Sequence, residues 1–122
     1  MRTKRILVCD DDPDIVEVTK IILEMEGFEV EALDFLRSDH DLLRVVNLQQ
    51  PDLVLMDLRI PNIGGVRATE VIKQHASTTA IPVILFSANH TIMEISQRIG
   101  ADGVVRKPFD IKEIMSVIRE LI

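Results

Sequence analysis

Leu53-Val54-Leu55-Met56 is an unbroken apolar run that stops abruptly on an acid, Asp57. A short continuous apolar run between turn signals predicts a strand covered on both faces, as in parallel sheets. Such a strand needs helices above and below it, and this restricts the chain more than any other feature. Pro51-Asp52 precedes the run, and Pro61 with the Gly64-Gly65 pair follows it, so turns bracket it. Asp57 then stands at the strand's carboxyl end, the edge where open α/β sheets bind ligands. Taken alone, an Asp there is equally compatible with an ordinary turn.

The rest of the chain repeats the pattern. Ile6-Leu7-Val8-Cys9 reads as a first strand ending on Asp10-Asp11-Asp12-Pro13. Asp12 suits a helix N-cap and Pro13 the first helical position, while Asp14 and Glu17 favour the helix's positive end. Ile15, Val18, Ile22 and Met25 recur at helical spacing and predict its buried face, with Gly27 as the stop. Residues 28–33 alternate and predict an edge strand. Residues 41–49 predict a helix with Leu42, Val45, Val46 and Leu48 as its apolar positions. Val66, Thr69, Val71 and Ile72 mark a third helix, closed by the polar residues 74–79. Residues 82–86 form another buried strand, ending on Ser87. Ile92, Ile95 and Ile99 line a short helix stopped by Gly100. Residues 103–106 are the last strand, ending on Lys107-Pro108, a candidate cis bond. Asp110 and Glu113 form a capping-box pattern, and Ile111, Ile114, Met115, Ile118 and Leu121 follow.

Strands alternating with helices predict a parallel α/β sheet of doubly wound type, in the order 2-1-3-4-5. In that order the switch point lies between the first and third strands, the two that end in acids. A length of 122 residues suits one domain spanning 1–122, and 47% hydrophobic residues suffice for a core, an aliphatic one given no Trp or Tyr. The net charge of −6 disfavours direct nucleic-acid binding by this domain and fits cations or basic surfaces as partners. The single Cys9 excludes an internal disulfide and a cysteine-cluster metal site, and reads as a small buried strand residue. No stretch is long and apolar enough for a membrane span. The basic start from Met1 to Arg5 precedes too short an apolar run for a signal peptide, so a cytoplasmic location is expected.

The predicted order brings Asp10, Asp11 and Asp57 together on one rim, with Ser87 and Lys107 flanking. Each like-charge pair at ~4 Å costs about 4 kcal/mol at a protein-surface dielectric, so the cluster calls for cations. Lys107 supplies one. An all-oxygen, carboxylate-rich set selects Mg²⁺ or a relative for the other, and no His or Cys nearby suggests zinc. A carboxylate beside Mg²⁺ and Lys is arranged as a nucleophile towards phosphorus, with the cations neutralising the transferring oxygens. Ser87 and the Ala88 N–H face the same oxygens. Asp12 reads as a cap rather than a ligand, and His40, His75 and His90 as surface residues. Arg59 and Asn89 each lie two residues beyond a site residue, so their side chains are expected to overhang the phosphoryl group and tune its lifetime. No Walker A, GxGxxG or HExxH pattern is present.

Leu7-Val8-Cys9-Asp10-Asp11-Asp12, the run from Pro51 to Asp57, Ile60-Pro61 with Gly65, the run from Pro82 to Ala88, Gly100-Ala101-Asp102 and Lys107-Pro108-Phe109 together resemble the receiver domain of two-component response regulators, from end to end. The resemblance implies a flavodoxin-like fold. It implies a phosphoryl group accepted on Asp57 from the phosphohistidine of a sensor histidine kinase or phosphotransfer protein. It implies Mg²⁺ on Asp10, Asp11, Asp57 and the main-chain carbonyl of Arg59, with Ser87 and Lys107 as switch hydroxyl and lysine. It also implies output to a partner or a second copy through the face made by the fourth helix, fifth strand and fifth helix. Two departures stand out. Val104 occupies the position where receivers often carry an aromatic switch residue, and the segment from Ser87 to Gly100 is short. Two other readings compete: a haloacid-dehalogenase-like phosphohydrolase using Asp10-x-Asp12, Ser87 and Lys107, and a binding module that keeps only the fold. The first leaves Asp57 unexplained and lacks a later acidic pair.

Overall fold

The computed structural model describes residues 3–33 and 36–122; Met1 and Arg2 of the basic start lie outside them. Its elements are β1 (Arg5–Cys9), α1 (Pro13–Met25), β2 (Glu29–Leu33), α2 (Asp39–Gln49), β3 (Leu53–Met56), α3 (Gly65–Gln74), β4 (Val83–Ser87), α4 (Ile92–Ile99), β5 (Gly103–Arg106) and α5 (Ile111–Leu121). The five strands are all parallel and run in the order β2-β1-β3-β4-β5, as the alternation predicts.

Strand side chains alternate between two cores. Leu7, Cys9, Val54, Met56, Val83 and Leu85 face the layer of α2, α3 and α4. Ile6, Val8, Leu53, Leu55, Ile84 and Phe86 face α1 and α5. Successive residues of a strand point to opposite faces, so a strand sandwiched between two helix layers must be apolar at every position. That is why β1, β3 and β4 read as unbroken apolar runs, whereas β2, on the edge, alternates.

The helix faces differ from expectation in places. On α1 the covered face is Ile15, Val16, Thr19 and Leu23, while Val18 is 51% exposed and Met25 81% exposed. The helix is apolar on two sides, and the stripe counted from Ile15 every three or four residues drifts off the face that meets β1 and β2. The buried Thr19 was hidden from that count by its hydroxyl. Leu48, predicted as a core position of α2, is 72% exposed. α2 also starts earlier than residue 41, because the Ser38 hydroxyl accepts the Asp41 N–H at 3.2 Å and caps the helix there. β2 starts at Glu29; the Phe28 N–H is spent on the Leu23 carbonyl in the turn after α1. α4 is short, as its sequence suggests, and ends on Gly100 at φ +77, a left-handed cap that glycine adopts without strain. Among the described residues no helix is long and apolar enough to cross a membrane.

Candidate functional site

The sheet register builds the site. Cys9 pairs with Met56, and the Asp57 N–H continues the ladder to the Cys9 carbonyl at 2.8 Å, so Asp10 and Asp57 leave adjacent strands side by side. Ser87 pairs with Arg106, and the Lys107 N–H donates to the Ser87 carbonyl at 3.0 Å, which brings Lys107 to the same rim. The Lys107–Pro108 bond is cis. α3 closes from behind: a Cβ on Gly65 would stand 2.1 Å from the Asp57 carbonyl oxygen, and the Gly65 N–H donates to Leu58 O at 3.0 Å. Gly65 is therefore required by the close approach of two backbones, not merely by a loop.

The acids gather as the strand order requires. Asp10, Asp11 and Asp57 each offer a carboxylate oxygen within 4.8 Å of the others. Lys107 Nζ lies 2.6 Å from Asp10 Oδ2 and 3.7 Å from Asp57 Oδ1. The ammonium also sits 4.6 Å from the Phe86 ring centroid, a cation–π contact that helps hold it in this half-buried place. Asp10 Oδ1 accepts the Asp12 N–H at 2.9 Å, while Asp12 itself caps α1 by accepting the Asp14 and Ile15 N–H groups. Asp57 is only 4% exposed. Burial first, then the Asp10 charge, pushes its carboxyl up to about 6 against the opposing pull of Lys107. One lysine against three clustered carboxylates leaves the set short of positive charge. Its hard oxygen donors fit a divalent cation such as Mg²⁺. Burial also raises the Cys9 thiol, which keeps it protonated and inert beside the acids.

Ser87 is 6% exposed, and its hydroxyl oxygen accepts the Asn89 N–H at 3.2 Å, leaving the hydroxyl proton free to donate into the site. Asn89 lines the same cleft, and its Oδ1 accepts both the Thr91 N–H at 2.9 Å and the Thr91 hydroxyl at 2.8 Å, which ties the carboxamide to its own loop. Asn is prone to such local turns, and α4 has no side-chain cap of its own. Arg59 is exposed on the opposite lip. A cleft of about 560 Å³ joins these groups, and it is also lined by Ile15, Leu58 and His90. Ile15 belongs to the first turn of α1, which the site borders. His90 is exposed, as its polar context suggests, and it also borders the cleft, to which its short distance in sequence from Ser87 is the only pointer.

Five parallel strands in this order, with acids, a lysine and a hydroxyl at their carboxyl ends, define a doubly wound domain built to handle an anionic group against a cation. Residues 6–119 match the response regulator receiver domain family. Over 97% of the chain it is 34% identical to the DNA-binding dual master transcriptional regulator RpaA of Synechocystis sp., of which the match covers 48%. It is 32% identical over 95% of its length to the DNA-binding response regulator MtrA of Mycolicibacterium smegmatis, covering 49% of that protein. The chain belongs to the response regulator receiver domain family. It spans about half the length of these curated relatives.

Among solved structures it resembles a CheY-like response regulator receiver domain protein from Methanospirillum hungatei (TM-score 0.81, 30% identity, 98% of this chain and 93% of that one). It shares its fold with the receiver domain of sensor histidine kinase PA1611 from Pseudomonas aeruginosa (TM-score 0.84, 24% identity, 98% of each chain), which holds a magnesium ion in its active site cleft. The dehalogenase-like alternative is not favoured: the family match spans nearly the whole chain, and Asp12, its required second acid, is spent on the α1 cap.

Proposed function

We propose that Asp57 is the phosphoacceptor of this receiver domain, and that residues 1–122 act as one such unit. The observation that carries this reading is the buried Asp57 carboxylate held beside Asp10, Asp11 and Lys107 in one cleft at the sheet's carboxyl edge. An Asp57 oxygen attacks the phosphorus of a phosphohistidine. The new O–P bond forms as the P–N bond breaks, and the leaving imidazole nitrogen keeps the electron pair and takes a proton. Lys107, the Ser87 hydroxyl and the Ala88 N–H donate to the phosphoryl oxygens. The carboxylates of Asp10, Asp11 and Asp57 and the Arg59 carbonyl hold Mg²⁺, which when bound supplies the positive charge that the cluster lacks.

The phosphodonor is a sensor histidine kinase or a phosphotransfer protein, approaching the open cleft from the cytoplasm. The exposed Val18 and Ile21 of α1, the helix that begins at the site, support contact with it there. Output runs through the α4–β5–α5 face to a partner or a second copy. At a charge of −6 this domain leaves any nucleic-acid contact to other parts of such a system.

The test is intact-mass spectrometry after acetyl phosphate and Mg²⁺. One phosphoryl group is expected on the wild type and none on Asp57→Asn; full labelling of that variant removes Asp57 from the role. Sustained turnover of a phosphomonoester favours the hydrolase instead, and absence of both labelling and metal binding favours the bare binding module.

A further inference from the structure

We infer that Phe86 is a positioning residue for phosphoryl transfer: its ring face holds the Lys107 ammonium where that cation meets the phosphoryl oxygens on Asp57. The inference rests on the assignment of Asp57 as acceptor. The chain has four aromatic residues, all Phe. Among the described residues Phe86 is the only one in a strand, and it is fully buried on the side of β4 that faces α1 and α5. Every other apolar position of β1, β3 and β4 carries an aliphatic or sulfur-bearing side chain, so filling the core does not by itself call for a ring there.

What the ring adds is its face. Lys107 Nζ lies 4.6 Å from the Phe86 ring centroid, within the range at which the negative face of an aromatic ring attracts a cation. The Lys107 side chain is only 17% exposed, and this attraction is stronger where water is displaced. The Phe109 ring meets Phe86 edge to face, at 6.3 Å between centroids and 61° between planes, a favoured arrangement that holds the tilt of the ring. The ammonium has three N–H donors and three partners: Asp10 Oδ2 at 2.6 Å, Asp57 Oδ1 at 3.7 Å and the ring.

The two carboxylates do not suffice to place the lysine. Asp10 holds the ammonium more closely than Asp57 does, and so draws it away from the acceptor. Both acids also take on other work in the proposed reaction, Asp57 as the nucleophile and Asp10 as a metal ligand. The ring is the partner that the phosphoryl group does not take over. Attraction to a ring face is broad, so the ammonium can lean from Asp10 towards the phosphoryl oxygens without leaving it. The main chain supports the same placement. Ser87 pairs with Arg106, and the Lys107 N–H donates to the Ser87 carbonyl at 3.0 Å, one residue beyond the ring. A lysine held there neutralises the transferring oxygens as charge develops on them, with little rearrangement at that moment.

The test measures the initial rate of phosphoryl mass gain with acetyl phosphate and Mg²⁺, in which the Asp57 oxygen bonds to phosphorus and acetate leaves with the electron pair. Phe86 is replaced site-specifically by phenylalanine carrying one, two or three ring fluorines. Fluorine drains negative charge from the ring face and changes its shape little. Labelling is expected to slow stepwise with fluorine number, reaching about five- to tenfold with three. The same series at Phe28, which packs on the same core just before β2 at the opposite end of the sheet from the rim, is expected to leave the rate unchanged. A flat series at Phe86 overturns the inference. So does a fall that does not grow with fluorine number, or an equal fall at Phe28, because either would mark a purely structural role. A wild type that takes no phosphoryl group overturns the Asp57 assignment and this one with it, while a labelled wild type with a flat Phe86 series overturns this one alone.

Discussion

The two halves of the rim are built differently. Where β1 and β3 end, Asp10 and Asp57 are buried, the backbone ladder runs past them, and α3 presses so closely that only glycine fits at residue 65. Where β4 ends, the connection to α4 is exposed at Ala88, Asn89 and His90 and is held by small side chains bonding to their own loop. α4 itself has only eight residues and no side-chain cap. Charge is thus buried where packing fixes it, and the segment able to move is the one that meets the phosphoryl oxygens without having to hold the acids.

The sharpest way to break that contrast is Gly65→Ala. The added Cβ would meet backbone atoms, the Asp57 carbonyl at 2.1 Å and Leu58 Cα at 2.7 Å, which cannot swing aside like a side chain. A loss above about 4 kcal/mol is expected in urea unfolding, among the largest single-residue effects. Ala88→Gly on the exposed half should cost under about 1 kcal/mol. Comparable losses at both positions would erase the distinction between a fixed and a yielding half.

The buried charge gives the next largest effect. The Asp57 carboxyl is raised from 3.8 to about 6 in the fold. Well below pH 3.8, at about pH 2–3, the group is protonated in both states and costs nothing. Between the two values the folded state keeps a proton that the unfolded chain has lost, so stability falls as pH rises, and the full penalty stands above about 6. Asn does not titrate. With EDTA present, Asp57→Asn is expected to match the wild type at about pH 2–3 and to exceed it by roughly 1–3 kcal/mol at pH 7–8. Chemical denaturation across that range decides it. A gain of equal size at every pH would mean that shape, not buried charge, sets the difference.

Legibility in the sequence follows the same division. A strand covered on both faces must be apolar throughout, so β1, β3 and β4 were plain, and the strand order placed Asp10, Asp11, Asp57, Ser87 and Lys107 on one rim. What periodicity missed depends on partners across space. Val18 and Met25 look as apolar as Ile15, and only the docking of α1 on the sheet decides which of them is covered. Gly65 reads as a turn residue until the Asp57 carbonyl is seen beneath it. Asn89 and Thr91 look like ordinary loop residues, and their mutual bonds exist only once the backbone has turned. His90 gave no pattern because a lone histidine in a polar stretch has none, and its place at the cleft comes from how short the β4–α4 connection is.

A smaller effect sharpens the fixed half. Relief of repulsion by a cation should stabilise the fold, and by linkage the gain at tenfold above Kd is about 1.4 kcal/mol. Asp11 is the exposed member of the three clustered acids, so Asp11→Ala removes a ligand without opening a core cavity. Thermal melting with excess Mg²⁺ against EDTA should separate in the wild type and nearly coincide in Asp11→Ala. Coincidence in the wild type itself would count against the metal assignment.

The smallest expected signal lies in the yielding half, and it concerns how a phosphoryl group on Asp57 reaches the output face. New acceptor oxygens would appear beside Ser87, the Ala88 N–H and Lys107, and bonds to them draw the loop inward. That loop runs directly into α4, whose Ile92 and Ile99 are buried against the sheet, so a shift of the loop carries the helix with it. The neighbouring strand holds Val104, half-buried against the α4 side. Valine is branched at Cβ and compact, with no ring to swing between two pockets. The change is therefore expected as a rigid displacement of loop and helix that shifts an existing equilibrium, not as a rotamer switch in β5. The Arg106 bond to the His90 carbonyl marks where β5 would feel it. NMR spectra with and without a phosphoryl mimic and Mg²⁺ should show shifts spreading from Ser87 along α4 to Arg106 in the wild type, and confined near Asp57 in Ser87→Ala. Shifts that stay local in the wild type, or that spread equally in Ser87→Ala, would rule out this route and leave the two halves of the rim uncoupled through Ser87.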